Sequence, residues 1–109
     1  MAYDEALANR IRAVVEGEPG LTERKMFGGL AFLIHGNMSV AASGRGGLLV
    51  HVDPDDSDAL LALSGVSPME MRGKTMRGWL YVHDSTLDDA GFEEWVMRGV
   101  ESARARPPK

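Results

Sequence analysis

This sequence contains no cysteine, which excludes disulfide bonds, thiolate nucleophiles and cysteine metal ligands. It also lacks long hydrophobic runs: none exceeds five residues, whereas a membrane-spanning helix needs about 20. The N-terminus carries Asp4 and Glu5 and has no long apolar stretch, unlike a secretory signal peptide. We therefore expect a cytoplasmic protein without a membrane partner.

Positive charge is in deficit, because 12 lysine and arginine residues face 16 acidic ones and leave a net charge of -4. Nucleic-acid-binding domains usually present a basic surface, so we do not expect nucleic acid as a partner of this isolated domain. The length of 109 residues is sufficient for one domain with its own core. We predict a single domain over residues 1–109, with a flexible tail from about residue 105 where arginine and proline dominate.

Hydrophobic periodicity predicts three helices. The first runs from about Tyr3 to Glu16, and the second begins after Asp53, which is suited to capping a helix that starts at Pro54. Apolar residues at helical spacing give the second helix a predicted buried side of Leu60, Leu61 and Leu63. In the third helix the corresponding residues are Phe92, Trp95, Val96, Gly99, Val100 and Ala103.

Strand-forming segments occupy the remainder, and Gly28-Gly29 predicts a sharp joint or a close backbone approach between the first two. Gly36-Asn37 predicts a tight hairpin turn, and Gly73 to Gly78 a second turn region. The predicted strands are Glu23 to Phe27, Leu30 to His35, Met38 to Ala42, Leu48 to Val52, Met69 to Arg72 and Trp79 to His83. This order predicts an α+β fold: an antiparallel sheet of five or six strands, helices at both termini and one helix between strands.

Motifs for common enzyme chemistry are missing. The sequence has no G-x-S-x-G nucleophile elbow and no H-E-x-x-H zinc motif. Gly73-Lys74-Thr75 is similar to the end of a phosphate-binding loop, but Pro68 stands where that motif requires glycine. We therefore expect no enzyme activity, no catalytic residues and no cofactor.

The three histidines, His35, His51 and His83, fall at or near predicted strand ends. Alternation places His51 opposite Leu48, Val50 and Val52, and His83 opposite Leu80 and Val82, so both imidazoles would lie on the other surface of the sheet. If their strands were adjacent, the pair could bind a divalent metal or shuttle a proton. A half-exposed strand histidine without such a role is the commoner outcome.

The sequence resembles the TfoX N-terminal domain family, which occurs in regulators of bacterial competence and in small stand-alone proteins. The resemblance rests on Lys25-Met26-Phe27-Gly28-Gly29, Gly36-Asn37-Met38 and Leu48 to Asp53, with Tyr81, Phe92 and Trp95 further on. It implies a compact α+β domain with helices packed on an antiparallel sheet, and it supplies no catalytic residues.

Two functional hypotheses follow. The first is a non-enzymatic protein-interaction or regulatory module, self-associating as a homodimer or binding a protein partner, with Trp79, Tyr81 or Trp95 as aromatic anchors. The second is a small-molecule or divalent-metal-binding protein, or a minor enzyme, that uses His51 and His83. An exposed apolar patch would favour the first, and proximity of the histidines the second.

Overall fold

The structure is a computed structural model that describes residues 4–26, 28–44, 46–63, 65–71, 73–83 and 87–108. It confirms the predicted α+β fold. Its helices and strands follow in the order α1 (Glu5–Val15), β1 (Leu21–Met26), β2 (Gly29–Ile34), β3 (Asn37–Ala42), β4 (Leu48–His51), α2 (Pro54–Leu61), β5 (Val66–Met71), β6 (Lys74–Val82) and α3 (Asp89–Ala105). The helix start predicted at Tyr3 and the strand ends predicted at Phe27 and Arg72 lie outside the described residues.

Aspartate caps begin all three helices. Asp4 accepts hydrogen bonds from the amides of Ala6 and Leu7, and Asp88 accepts one from the amide of Gly91. Asp53 accepts from the amide of Asp55, with Pro54 in the first turn of α2, which confirms that predicted start. No helix in the described ranges is long and apolar enough to cross a membrane.

The six strands form one antiparallel sheet in the order β1-β2-β3-β4-β6-β5. Strands β1 and β5 are therefore its edges. Residues 22–25 of β1 are exposed and include three charged side chains, and β5 carries Pro68. Charged residues and proline on edge strands oppose pairing with another chain.

The two faces of the sheet are covered differently. The main core lies on the face where helices α1 and α3 pack, and it includes Leu48, Val50 and Val52 from the β4 region, which confirms their predicted common orientation. The other face carries a second apolar cluster, and no helix residue contributes to it among those described. We call this the helix-free face; its residues are Ala31, Leu33, Met38, Ala41, Leu49, Met69, Trp79 and Tyr81.

Helix α3 buries the six residues predicted from its periodicity. At Gly99 it crosses β3 so closely that an added Cβ would lie 2.5 Å from the carbonyl oxygen of Ser39. In the α2 region the prediction is wrong for Leu63, which is 46% exposed, whereas Leu60 and Leu61 pack partly against the core. Helix α2 ends at Leu61, two residues before Leu63.

The two predicted turns are displaced. The β2–β3 turn is formed by His35 and Gly36, with φ angles of 52° and 82°, while Asn37 is already the first residue of β3 and pairs with Ile34. In the second hairpin β6 begins at Lys74, so the predicted turn region from Gly73 to Gly78 is mostly strand. Gly78 lies inside β6 with φ 86°, and its carbonyl accepts a hydrogen bond from the amide of Val52.

The two glycines of the joint have different roles. Gly28 lies between β1 and β2 with φ +71°, a conformation that costs little only for glycine, and a Cβ there would meet nothing within 4 Å. At Gly29 an added Cβ would lie 2.0 Å from the carbonyl oxygen of Ala42. The structure thus confirms the predicted joint between the first two strands, and the close backbone approach at Gly29 is to the end of β3.

Candidate functional site

The predicted aromatic anchors lie on opposite sides of the sheet. Trp79 and Tyr81 are half-buried and belong to the helix-free face. Trp95 is 5% exposed and packs in the main core, with the guanidinium of Arg98 4.5 Å from its ring centroid. Trp95 is therefore a core residue, which corrects its predicted placement on an interaction surface.

Four side chains with aromatic rings lie on or beside β6: Trp79 and Tyr81 in the strand, His83 directly after it and His51 on the neighbouring β4. His51 is paired with Trp79 across β4 and β6, and their rings meet edge to face with centroids 4.9 Å apart. Tyr81 and His83 make a similar contact at 4.8 Å. We call His51, Trp79, Tyr81 and His83 the aromatic row. The Tyr81 hydroxyl donates to the carbonyl of Gly46 at 2.7 Å, which ties the row to the β3–β4 loop.

The histidines do not converge on one site. His51 is paired with Trp79, four positions before His83, which corresponds to about 13 Å along a strand. Their imidazoles also pack on different aromatic rings. His35 occupies the β2–β3 turn, where its ring would be the first group met by a Cβ at Gly20. Within the described ranges, no three His, Asp or Glu side chains are grouped to hold a metal ion.

His51 has a polar contact that its strand position did not predict. Its Nδ1 lies 2.9 Å from the Oγ of Ser102 on α3, 51 residues away in sequence. Burial, together with the charge of Arg106, lowers the pKa of His51 to about 4, against a smaller opposing effect of Asp53. The imidazole is therefore neutral at pH 7.

A serine hydroxyl within hydrogen-bond distance of a neutral imidazole is the arrangement of a nucleophile and its general base, but two features of this pair oppose that chemistry. A base with a pKa near 4 accepts a proton poorly at neutral pH. Ser102 also lies within α3, where backbone N–H groups bond to the preceding turn and are not aimed at an oxyanion. The geometry supports a structural role for the pair.

A second polar group joins β3 to the end of α3, and no short-range pattern in the sequence pointed to it. The buried Asn37 side chain donates from Nδ2 to the carbonyls of Ala103 at 3.2 Å, Arg106 at 3.2 Å and Pro107 at 2.9 Å. The guanidinium of Arg106 donates to the carbonyls of Met38 and Ser102. Asn37, the first residue of β3, therefore caps the C-terminal end of α3.

Two clefts of about 470 Å³ each lie at the surface. One separates α2 from α3 and has Ser102 in its wall. The other lies beside β5 and β6, and its lining includes Tyr81 and His83 of the aromatic row together with Ser67, Pro68 and Glu70. The second cleft thus makes the row continuous with a concave surface at the β5 edge.

Because the pKa of His51 is lowered from its ordinary 6.5 to about 4, we expect the free energy of unfolding to fall as pH decreases between those values. In that window the unfolded chain binds a proton that the folded chain excludes. For a half-buried group the loss is about 1–2 kcal/mol after allowance for solvent screening. Urea unfolding at pH 7 and pH 4.5 measures it.

The matched control is His51→Asn, which places an amide near the position of Nδ1 and does not titrate. Between the two pH values, the free energy of unfolding of this variant should fall by about 1 kcal/mol less than that of the original chain. An equal loss in both proteins would show that His51 does not cause the pH dependence.

Comparison with known proteins gives one match. The family model of the TfoX N-terminal domain matches residues 14–103, which is most of the chain. No curated protein and no solved structure is matched.

Proposed function

We propose that this chain, which belongs to the TfoX N-terminal domain family, is a non-enzymatic protein-interaction module that associates through its helix-free face. The observation that carries the proposal is the aromatic row on that face, with Trp79 and Tyr81 half-buried above a floor of small and aliphatic residues. Tryptophan and tyrosine are the residues most enriched among those that dominate binding energy.

The edges of the sheet are less suitable for association than its face. Strand addition requires an edge with unobstructed backbone groups, but β1 carries three consecutive charged residues and β5 carries Pro68. The apolar cluster of the helix-free face includes Met38, Met69, Trp79 and Tyr81. Methionine and aromatic residues are enriched at the cores of protein interfaces.

A second copy of the chain is the partner we propose. In a two-fold symmetric contact one surface must be complementary to itself. On the helix-free face the half-buried side chains are Trp79 and Tyr81 on β6 and Met38 on β3, whereas Ala31 and Ala41 are buried beneath them. When two such sheets stack about a two-fold axis along β4, β6 of each copy lies over β3 of the other, so the two aromatic rings would face the strand that carries Met38.

The test is the mass of the assembly by native mass spectrometry and by light scattering over a range of concentrations. We expect a dimer for the original chain and at least about 30-fold weaker dimerisation for Trp79→Ala, the effect of losing a central aromatic anchor. Circular dichroism would establish that the variant is folded. The control is Leu63→Ala, which removes an exposed large apolar residue that is not part of the helix-free face.

A monomer at all concentrations would reject self-association. A dimer weakened equally by Trp79→Ala and Leu63→Ala would reject the helix-free face as its interface. Binding to a different protein that is lost in Trp79→Ala would keep the interaction function and replace the second copy as partner.

A further inference from the structure

Strands β3 and β4 stay together for only part of their length. Their pairing runs from Ala42 opposite Leu48 to Val40 opposite Val50, whereas β3 begins three residues earlier, at Asn37. Beside this point the β2–β3 register shifts between Phe32 and Leu33. Past Val40, the start of β3 therefore lacks a β4 partner among the described pairs, and we call the place where this pairing is missing, beside residues 37–39, the gap between the two strands.

The end of α3 occupies this gap. Arg106 donates to the carbonyl of Met38, a β3 group that β4 does not reach. Asn37 donates in the opposite direction, to three carbonyls at the end of α3 and just after it. An outer ion pair, Arg104 to Glu18 at 3.4 Å, joins the same turn to the loop after α1.

His51 stands at the end of β4, beside this gap. The charged groups that act on it are Arg106, from the end of α3, and Asp53, from the segment after β4. The other elements packed against it contribute neutral groups, the hydroxyl of Ser102 from α3 and the ring of Trp79 from β6. A proton on His51 would thus put a second positive charge in a partly buried region that already holds the Arg106 guanidinium.

We propose that the end of α3 is an acid-sensitive latch: protonation of His51 releases residues 103–108 from the gap between β3 and β4, while the rest of the domain stays folded. Release separates the two cations at the lowest cost in free energy, because Arg106 lies at a helix end and can move into water. Burial of the Arg106 guanidinium lowers the pKa of Arg106, which means that the charged form is less favourable at this position than in water. The buried contacts of α3 up to Val100 do not depend on Arg106.

The latch shares His51 with the aromatic row, but the two proposals have different readouts. The latch is followed through Asn37 and Arg106, which are not residues of the helix-free face, and self-association is followed through the mass of the assembly. Failure of one proposal therefore leaves the other standing.

The test is nuclear magnetic resonance of the whole chain during titration from pH 7 to pH 4. We expect the Asn37 side-chain amide and the Arg106 backbone amide to shift toward their solvent-exposed positions, in proportion to the released population, with the midpoint of the His51 ring. The released population should rise by roughly tenfold or more, and the amides of Val40 and Val50 should keep their native shifts. In His51→Asn the Asn37 and Arg106 signals should stay native.

A second variant keeps the test decisive if His51→Asn does not fold. In Arg106→Gln the cation beside His51 is gone, so the His51 midpoint should move to higher pH than in the original chain. The latch is overturned if Asn37 and Arg106 keep native signals while His51 titrates. It is equally overturned if both signals change in the same way in His51→Asn, or if Arg106→Gln leaves the His51 midpoint unchanged.

Discussion

Replacing Gly29 with alanine is expected to lower the free energy of unfolding by about 3 kcal/mol or more. The added Cβ would lie 2.0 Å from the carbonyl oxygen of Ala42 and 3.1 Å from the amide nitrogen of Gly44. Both are backbone atoms, so no side-chain rotation relieves the clash. Relief would require β2 to move away from the end of β3, where Leu30 pairs with Ala42. Urea or guanidinium unfolding measures the change.

Gly28→Ala is the matched control, since it makes the same chemical change one residue earlier. Gly28 has φ +71° but open space around its Cβ position, so alanine should cost only about 1–2 kcal/mol of backbone strain. Equal destabilisation by the two substitutions would contradict the close approach at Gly29 and would attribute the whole effect to backbone conformation.

The second large effect is expected at Asn37. Asn37→Ala should lower the free energy of unfolding by about 2–3 kcal/mol, because the carbonyls of Ala103, Arg106 and Pro107 lose their common donor in a place of limited solvent access. Asn37→Asp, which keeps the shape but replaces the donor with an acceptor, should be at least as destabilising at pH 7. Denaturant unfolding of both variants provides the measurement.

Asn9→Ala serves as the control, because Asn9 lies on the exposed surface of α1 and accepts a hydrogen bond from Arg12 there. Its free energy of unfolding should change by no more than about 0.5 kcal/mol. If Asn37→Asp were as stable as the original chain, the amide would not be the donor that caps α3.

Much of the local structure was predictable, because its causes lie within a few residues. Asp53 and Pro54 define the start of α2 through one capping bond and one fixed φ angle. The spacing of apolar residues in α3 identified its buried side, and alternation identified the inward face of β4.

Among the local predictions that failed are the position of the turn after β2 and the burial of Leu63. The hairpin after β2 turns at His35-Gly36, one position before the predicted turn. Histidine tolerates positive φ less readily than glycine or asparagine, but the shift lets the Asn37 side chain reach the end of α3. Leu63 was predicted to lie on the buried side of α2, but α2 ends at Leu61, so Leu63 lies beyond the helix and is exposed.

The sequence by itself determined the element order, the Asp53 cap of α2, the buried stripe of α3 and the glycine joint, since each depends on neighbours in the chain. Only the tertiary structure decided that β6 lies between β4 and β5 and that Trp79 and Tyr81 share the helix-free face. It also decided the contacts of Asn37 and His51 with α3, which span 66 and 51 residues. Periodicity shows which way a side chain points relative to its own element, but its partner depends on how the elements pack against one another.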